Sequence, residues 1–421
     1  MDVTPSARRL TESLRDIGYD FVSALADIVD NSISADASRV DILLEFDGAD
    51  SRVVIADDGI GMSRRDLTEA LRFGTRRDYK PDDLGRFGLG LKTASISQCR
   101  RLTVMSRMAL VYKRVAGSTL DLRIVAERDR WSLVEPDPEL RSRSMEWLAD
   151  APGTVVIWDV LDRVLPAKRS DGAWARRRLE QLAVRAREHL GMVFHRYIEG
   201  VSLDVPLVIT INGEKVLPWN PFAPEEQDSL ILSEQQYEVS SDGVGGVVRA
   251  KSCVLPARGQ FSSHDEFERL GGPRKWNRQQ GFYIYRADRM IQSGGWSGIR
   301  AADEHTKLAR IALDFDTDLD SLFRINVSKM RASLPSEIRS LIERQVNEVC
   351  HAADRRYRGT NSLGHSAETL GAEPRSRTSE PGRLGAGLIA AAMEVGEYEA
   401  LDRIGKTLRR RSPELADQLG W

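Results

Sequence analysis

Leu25-Ala26-Asp27-Ile28-Val29-Asp30-Asn31-Ser32 is the stretch from which the rest of the chain can be read. Leu25, Ile28, Val29 and Ser32 recur at helical spacing, so Tyr19 to about Ala35 reads as an amphipathic helix. Asn31 falls one turn after Asp27, which puts an amide and a carboxylate on one face. Downstream, Val40, Ile42, Leu44 and Phe46 alternate with polar residues, predicting a half-buried strand over Arg39–Asp47. Asp47-Gly48 reads as a turn, with Val53 and Ile55 on the returning strand. That strand ends at Asp57-Asp58-Gly59-Ile60-Gly61-Met62. Ser63, with Asp66 three residues on, predicts a capped helix that Gly74 would close. Residues 75–90 are polar and glycine-rich and read as a loop. Leu91–Cys99 reads as a helix that starts at Gly85-Arg86-Phe87-Gly88-Leu89-Gly90.

Short apolar runs at Leu102–Met105, Leu120–Val125 and Val155–Trp158 predict further antiparallel strands. Helices with an antiparallel sheet give an α+β first domain, placed at residues 1–165. A helix is expected at about 172–191. Asn212-Gly213, between Leu207–Ile211 and Val216, signals a type I′ hairpin. Further strand-like runs fall at 230–255, 281–286 and 309–315. Leu334-Pro335-Ser336 opens a helix carrying Ile338, Leu341, Ile342, Val346 and Val349. The expected second domain is therefore 166–355. Residues 356–386 are poor in large apolar residues and read as a linker. Residues 387–421 regain helical periodicity.

The chain has 421 residues, of which 41% are hydrophobic, and a formal net charge of −2. That balance gives no global basic signal for nucleic acid, although a local basic groove remains open. Three scattered cysteines argue against a disulfide framework and a zinc cluster and fit a reducing cytoplasm. No apolar run is long enough to predict a membrane span or a leader peptide.

Each segment has a chemical reading of its own. Asn31 can offer an amide oxygen to Mg²⁺, which takes few protein ligands and fills its octahedron with water and phosphate oxygens. Asp57 ends a strand and can accept from an amino group, with Gly59 and Gly61 expected to admit a ring close to the backbone. Gly85, Gly88 and Gly90 precede a helix whose first amides favour phosphate oxygens. The spacing is neither a Walker A loop nor a Rossmann fingerprint.

Taken together and in this order, the segments resemble the nucleotide site of the GHKL superfamily, which includes gyrase B, heat-shock chaperones, histidine kinases and MutL. The resemblance implies a Bergerat α/β sandwich that binds ATP and Mg²⁺ and hydrolyses ATP. Asn31 would be the metal ligand and Asp57 the adenine reader. Asp27 would stand where the family usually has a glutamate base, so hydrolysis is expected to be slow. Met62, Leu89, Leu91 and Lys92 would join the glycines around the nucleotide, with residues 75–90 as the lid. Gly153-Thr154 fits a later box whose threonine lies on the adenine side.

Phe323-Arg324-Ile325-Asn326-Val327-Ser328-Lys329-Met330-Arg331 is similar to the transducer loop of the gyrase, MutL and MORC branches. It implies an S5-like second domain in which Lys329 reaches the γ-phosphate. Strings such as His189-Leu190-Gly191-Met192-Val193-Phe194-His195 and Gln280-Gly281-Phe282-Tyr283-Ile284-Tyr285-Arg286 look like prokaryotic MORC-type proteins. The likeness spans about residues 1–355 and leaves out the linker and tail. It implies a homodimer gated by ATP, double-stranded DNA as a target, and a partner nuclease in defence against foreign DNA. Basic residues cluster at Arg176-Arg177-Arg178, at Arg274, Lys275 and Arg278, and at Arg409-Arg410-Arg411. Such clusters can neutralise phosphates, or can simply be solvated faces. A chaperone-like or scaffolding ATP switch acting on protein partners is the competing expectation.

Overall fold

The computed structural model describes residues 5–16, 18–73, 90–108, 114–166, 170–241, 244–323, 325, 334–367, 388–389, 391–393 and 397–419. The chain divides into two compact units. The first is Met1–Trp219 with Ala287–Met290 and Ile325–Arg331, and the second takes the remainder.

In the first unit the helices are α1 (Ala7–Arg15), α2 (Phe21–Ser34), α3 (Arg64–Ala70), α4 (Gly90–Ile96), α5 (Leu122–Arg128), α6 (Pro138–Leu148), α7 (Ala173–Val193) and α8 (His195–Ile198). Its strands are β1 (Arg39–Glu45), β2 (Arg52–Asp57), β3 (Arg101–Arg107), β4 (Ala116–Asp121), β5 (Gly153–Asp159), β6 (Val208–Ile211) and β7 (Glu214–Lys215). They form one sheet in the order β4-β3-β5-β2-β1-β6-β7. Strand β2 shows how the layers arise. Val53 and Ile55 point into the main core with α2, α4 and α7, while Val54 and Ala56 pack on the other face with Leu140 and Leu148 of α6. The period-two geometry of a strand sends alternate side chains to opposite faces.

The first unit runs past the boundary expected at 165. Helix α7 packs on α2, and β6 pairs in parallel with β1, Val40 opposite Ile209. The Asn212-Gly213 turn is as expected, with φ of +52° and +82°, but it closes an edge of the first sheet. The strand expected at Leu120–Val125 ends early. Asp121 accepts from the Arg123 N–H and caps α5, turning the backbone out of the sheet. Helix α6 was missed, although Asp137 caps it and Pro138 occupies its first turn. Helix α2 is not amphipathic in the expected sense: Phe21 and Ser23–Asp30 are all buried, and Asn31 and Ser34 are its exposed residues.

A second sheet, whose residues belong to the second unit except for Arg289 and Met290, has β8 (Leu230–Ser241), β9 (Val244–Val254), β10 (Gly281–Arg286), β11 (Arg289–Ser293) and β12 (Ala309–Phe315), in the order β11-β10-β12-β9-β8. Helices α9 (His264–Leu270) and α10 (Trp276–Gln279) precede β10, and α11 (Ser336–Ala367) packs on β8, β9 and β12. Ile338, Ile342, Val346 and Val349 of α11 are buried, whereas Leu341 is exposed. Helix α11 continues into the segment expected to be linker, which was to start at 356. Helices α12 (Tyr398–Arg411) and α13 (Pro413–Leu419) form the tail. No helix among the described residues is long and apolar enough to cross a membrane.

Candidate nucleotide site

Helix α2 starts at Asp20, whose side chain accepts from the Ser23 N–H. About two turns later Asp27 is 2% exposed, a burial that an ionised carboxylate tolerates only with partners. Its Oδ2 accepts from the Tyr19 hydroxyl at 2.7 Å. Its Oδ1 lies 3.5 Å from Nη2 of Arg289, whose Nε donates to Asp30 Oδ1 at 2.8 Å. Tyr19 also shares a hydrogen bond with the Thr93 side chain on α4, and burial beside Asp27 pushes its phenol above its ordinary pKa. Gly90 opens α4, and a side chain there would meet Asp27 Oδ2 at 3.7 Å. The start of α4 thus lies close to Asp27.

Asn31 is exposed on the same helix. Its amide oxygen fits a metal that is completed by phosphate and water oxygens. Among the described residues there is no group of three or more His, Cys, Asp or Glu that could hold a metal ion.

At the end of β2, Asp57 Oδ1 accepts from the backbone N–H of Gly59 at 3.1 Å and of Thr154 at 3.2 Å. Its Oδ2 accepts from the Ser32 hydroxyl at 3.0 Å. Burial raises the carboxyl to about 6 against these neutral donors, which pull it down. A carboxylate has about four lone-pair positions, so three donors leave capacity for a ligand's amino group. Asp58 turns the other way, and Oδ1 accepts from the N–H groups of Ser38 and Arg39. Thr154 is buried; its hydroxyl meets Ser106, which also accepts from the Met62 N–H at 2.8 Å.

The two glycines after Asp57 do not act as expected. Gly61 has φ of +68°, and a Cβ there would fall 1.8 Å from the Arg107 carbonyl oxygen. A Cβ on Gly59 would lie 2.6 Å from the Ala35 carbonyl oxygen. Both positions are small because protein backbone already occupies the space. Lys92 also differs from expectation. It is 1% exposed, its ammonium donates to the Ala70 carbonyl at 2.8 Å, and it sits 5.7 Å from the Phe73 ring centroid. Burial lowers it to about 8. Leu91 packs against the core. Gly85, Gly88, Leu89 and Lys329 lie outside the described residues.

The basic clusters are dispersed. Arg274, Lys275 and Arg278 are exposed around the start of α10, with Arg274 donating to the Ser293 carbonyl at 3.0 Å. Trp276 between them is stacked on Phe267 with centroids 4.4 Å apart. Arg176 lies over the Phe46 ring. Arg409, Arg410 and Arg411 occupy the last turn of α12, where cations suit the helix dipole. Sequence reading gave no site role to Tyr19, Ser32, Thr93, Ser106 or Arg289. Arg289 in particular stands 259 residues beyond Asp30 and has no local signal.

A model of the family described as "Histidine kinase-, DNA gyrase B-, and HSP90-like ATPase" matches residues 19–154, the span that holds Asp27, Asn31, Asp57 and Thr154. Among similar proteins, ATPase morc-1 of Caenorhabditis elegans is 33% identical over 248 residues, covering 47% of this chain and 27% of that protein. DNA mismatch repair protein MutL of Shewanella sediminis is 42% identical over 92 residues, covering 21% of this chain and 15% of the relative. ATPase MORC2B of Mus musculus is 35% identical over 79 residues, 17% of this chain and 8% of the relative. The chain thus spans well under half the length of these relatives. Residues 19–154 thus carry an ATPase domain of the GHKL type, and MutL and MORC proteins are among those the chain is similar to.

Proposed function

We propose that this chain binds ATP with Mg²⁺ in its first unit and hydrolyses it slowly, as an ATP-gated switch that acts on DNA. The observation that carries the reading is the double use of α2. The helix holds Asp27 and exposes Asn31, and through Ser32 it buttresses Asp57. Asp57 accepts the adenine amino group, and Thr154 backs it from β5. Asn31 would hold the metal, which when bound supplies charge neutralisation on the phosphates. Gly85, Gly88 and Gly90 offer backbone amides to phosphate oxygens.

Asp27 takes the proton of a water whose oxygen bonds to the γ-phosphorus while the bond to the β,γ-bridging oxygen breaks, releasing ADP and phosphate. A carboxylate one methylene shorter than glutamate holds that water less closely, hence the slow rate. Lys329 reaches the γ-phosphate and couples it to an S5-like transducer formed by the second unit, and closure forms a homodimer around double-stranded DNA. Two things support the DNA target: the mismatch-repair relatives and the exposed Arg274, Lys275 and Arg278. By analogy with prokaryotic MORC-type proteins, it would act beside a partner nuclease against foreign DNA.

Calorimetry and steady-state turnover test the core of this reading. Asp27→Ala should keep ATP affinity and lose about 10²–10⁴-fold in rate, the usual contribution of a positioned base. Turnover at the wild-type rate would remove Asp27 from the mechanism. A non-hydrolysable analogue should raise the dimer fraction in sedimentation where ADP does not.

A further inference from the structure

Asp27 is short, buried and able to turn about its terminal torsion, and a base aims a water well only if that torsion is held. Among the described residues, Tyr19 and Arg289 each contact one of its two oxygens. The Tyr19 hydroxyl donates to Oδ2 at 2.7 Å, and Arg289 faces Oδ1 at 3.5 Å. The two contacts differ in kind. The first is a short hydrogen bond from a phenol whose ionisation is pushed up, so it remains a donor across the working pH range. The second lies at the outer edge of hydrogen bonding and is mainly an ion pair. Arg289 makes its short bond elsewhere, to Asp30 at 2.8 Å. It is 3% exposed and lies 5.8 Å from the centroid of the Phe194 ring, so it has little room to swing. Asp30 thus anchors the guanidinium, which orients Asp27 without closing tightly on it. Thr93 shares the Tyr19 hydrogen bond from α4, one turn after Gly90. The phosphate-side helix and the base are therefore joined through one phenol.

We propose that Tyr19 and Arg289 are positioning residues that aim the Asp27 carboxylate at the attacking water, an inference that rests on the reading of Asp27 as the base. The clamp acts on the chemical step and leaves nucleotide affinity to Asp57 and the phosphate-side amides. A 1 Å misplacement of a reacting group can lower a rate by about 10²-fold, so small losses of aim should be measurable.

The test uses the full chain with Tyr19→Phe, Arg289→Met, Arg289→Lys and, as reference, Asp27→Ala. ATP turnover and ADP affinity are measured for each, with thermal melts to confirm folding. Tyr19→Phe keeps the ring and should lower kcat about tenfold, the loss of one hydrogen bond to a charged group. Arg289→Met should lower kcat about 10²-fold, and Arg289→Lys should recover part of that. KM for ATP and ADP affinity should stay within about twofold, since the clamp acts only on the reacting carboxylate. Arg289→Met leaves two buried carboxylates without their cation, so if it fails to fold, Tyr19→Phe decides alone. Wild-type kcat in folded Tyr19→Phe overturns the clamp, as does a parallel loss of ADP affinity, which would make these residues merely structural. If Asp27→Ala itself turns over normally, the base assignment has failed and the clamp falls with it. That outcome differs from an inactive Asp27→Ala beside fully active clamp variants, which sinks only the clamp.

Discussion

Asp27, buried, and Asp57, half-buried, are carboxylates of one unit tied to the same helix, and their partners differ in kind. Asp27 faces a phenol and a guanidinium that also binds Asp30. Asp57 is met by two backbone amides and a serine hydroxyl. A cation compensates a buried charge at range, whereas neutral dipoles do so only where they point. The difference shows in Asp57, which burial carries to about 6 despite three donors. A carboxylate so poised gains from one more donor, which suits a reader of an amino group. Asp27 has a cation beside it before any ligand arrives, which suits a group that must be ready when nucleotide binds.

The largest break in this contrast should come from Asp57→Asn. The new amide turns one acceptor into a donor facing the Ser32 hydroxyl or the ligand's amino group. ADP and ATP affinity should both fall about 10²-fold by calorimetry, since a hydrogen bond to a charged group is lost and a donor is left opposed. The fold should survive, because the substitution also removes a buried charge. Unchanged affinity would move the adenine elsewhere.

A smaller effect should follow from pH alone. Asp57 rises from 3.8 to about 6 in the folded chain, so it binds a proton there that the unfolded chain has already released. Its contribution to stability is therefore present below about pH 4 and is lost as pH rises through about 6. Nucleotide binding runs the other way, because the ionised form is the acceptor. Affinity should drop about tenfold for each unit below pH 6 and level off above about pH 7. The same titration of Asp57→Asn isolates this limb from the protonation of the nucleotide's own phosphates. Profiles of identical shape would show that Asp57 does not titrate in the bound site.

The contrast also marks what could be read from the sequence. Asp27, Asn31 and Asp57 could be picked out as candidates because each sits in a short local pattern: a helix face, or a strand end followed by glycines. The α+β class was legible from alternation in β1 and from the cap at Ser63. The partners of these carboxylates were not. Ser32 looked like one more small helix residue, and Arg289 joins Asp30 across 259 positions. Gly59 and Gly61 were seen, but for the wrong reason, since the atoms that exclude a side chain belong to Ala35 and Arg107. Lys92 likewise has a partner that its local pattern does not announce. A lysine after glycines suggests phosphate, but its stem is drawn under α3, where the Ala70 carbonyl satisfies it. The first unit's reach to Trp219 could not be seen, because the parallel pairing of β6 with β1 leaves no trace in either strand alone.

Ser32→Ala should give the smallest effect and the sharpest test of how Asp57 is tuned. The Ser32 hydroxyl, buried on α2, donates to Asp57 Oδ2 at 3.0 Å and holds the carboxyl down against the rise caused by burial. Removing it deletes one neutral hydrogen bond, worth about 0.5–1.5 kcal/mol, so affinity at pH 8 should fall only a few-fold. The midpoint of the acid limb should move up at the same time, since the charged form loses a donor and the neutral form does not. The backbone amides of Gly59 and Thr154 remain, which is why the loss stays partial. Asp27 shares α2 but not this hydroxyl, so kcat at saturating ATP should stay near wild type at pH 8. A variant whose kcat falls while its pH midpoint stays fixed would show that Ser32 supports the helix as a whole, and the separation of the two carboxylates would be lost.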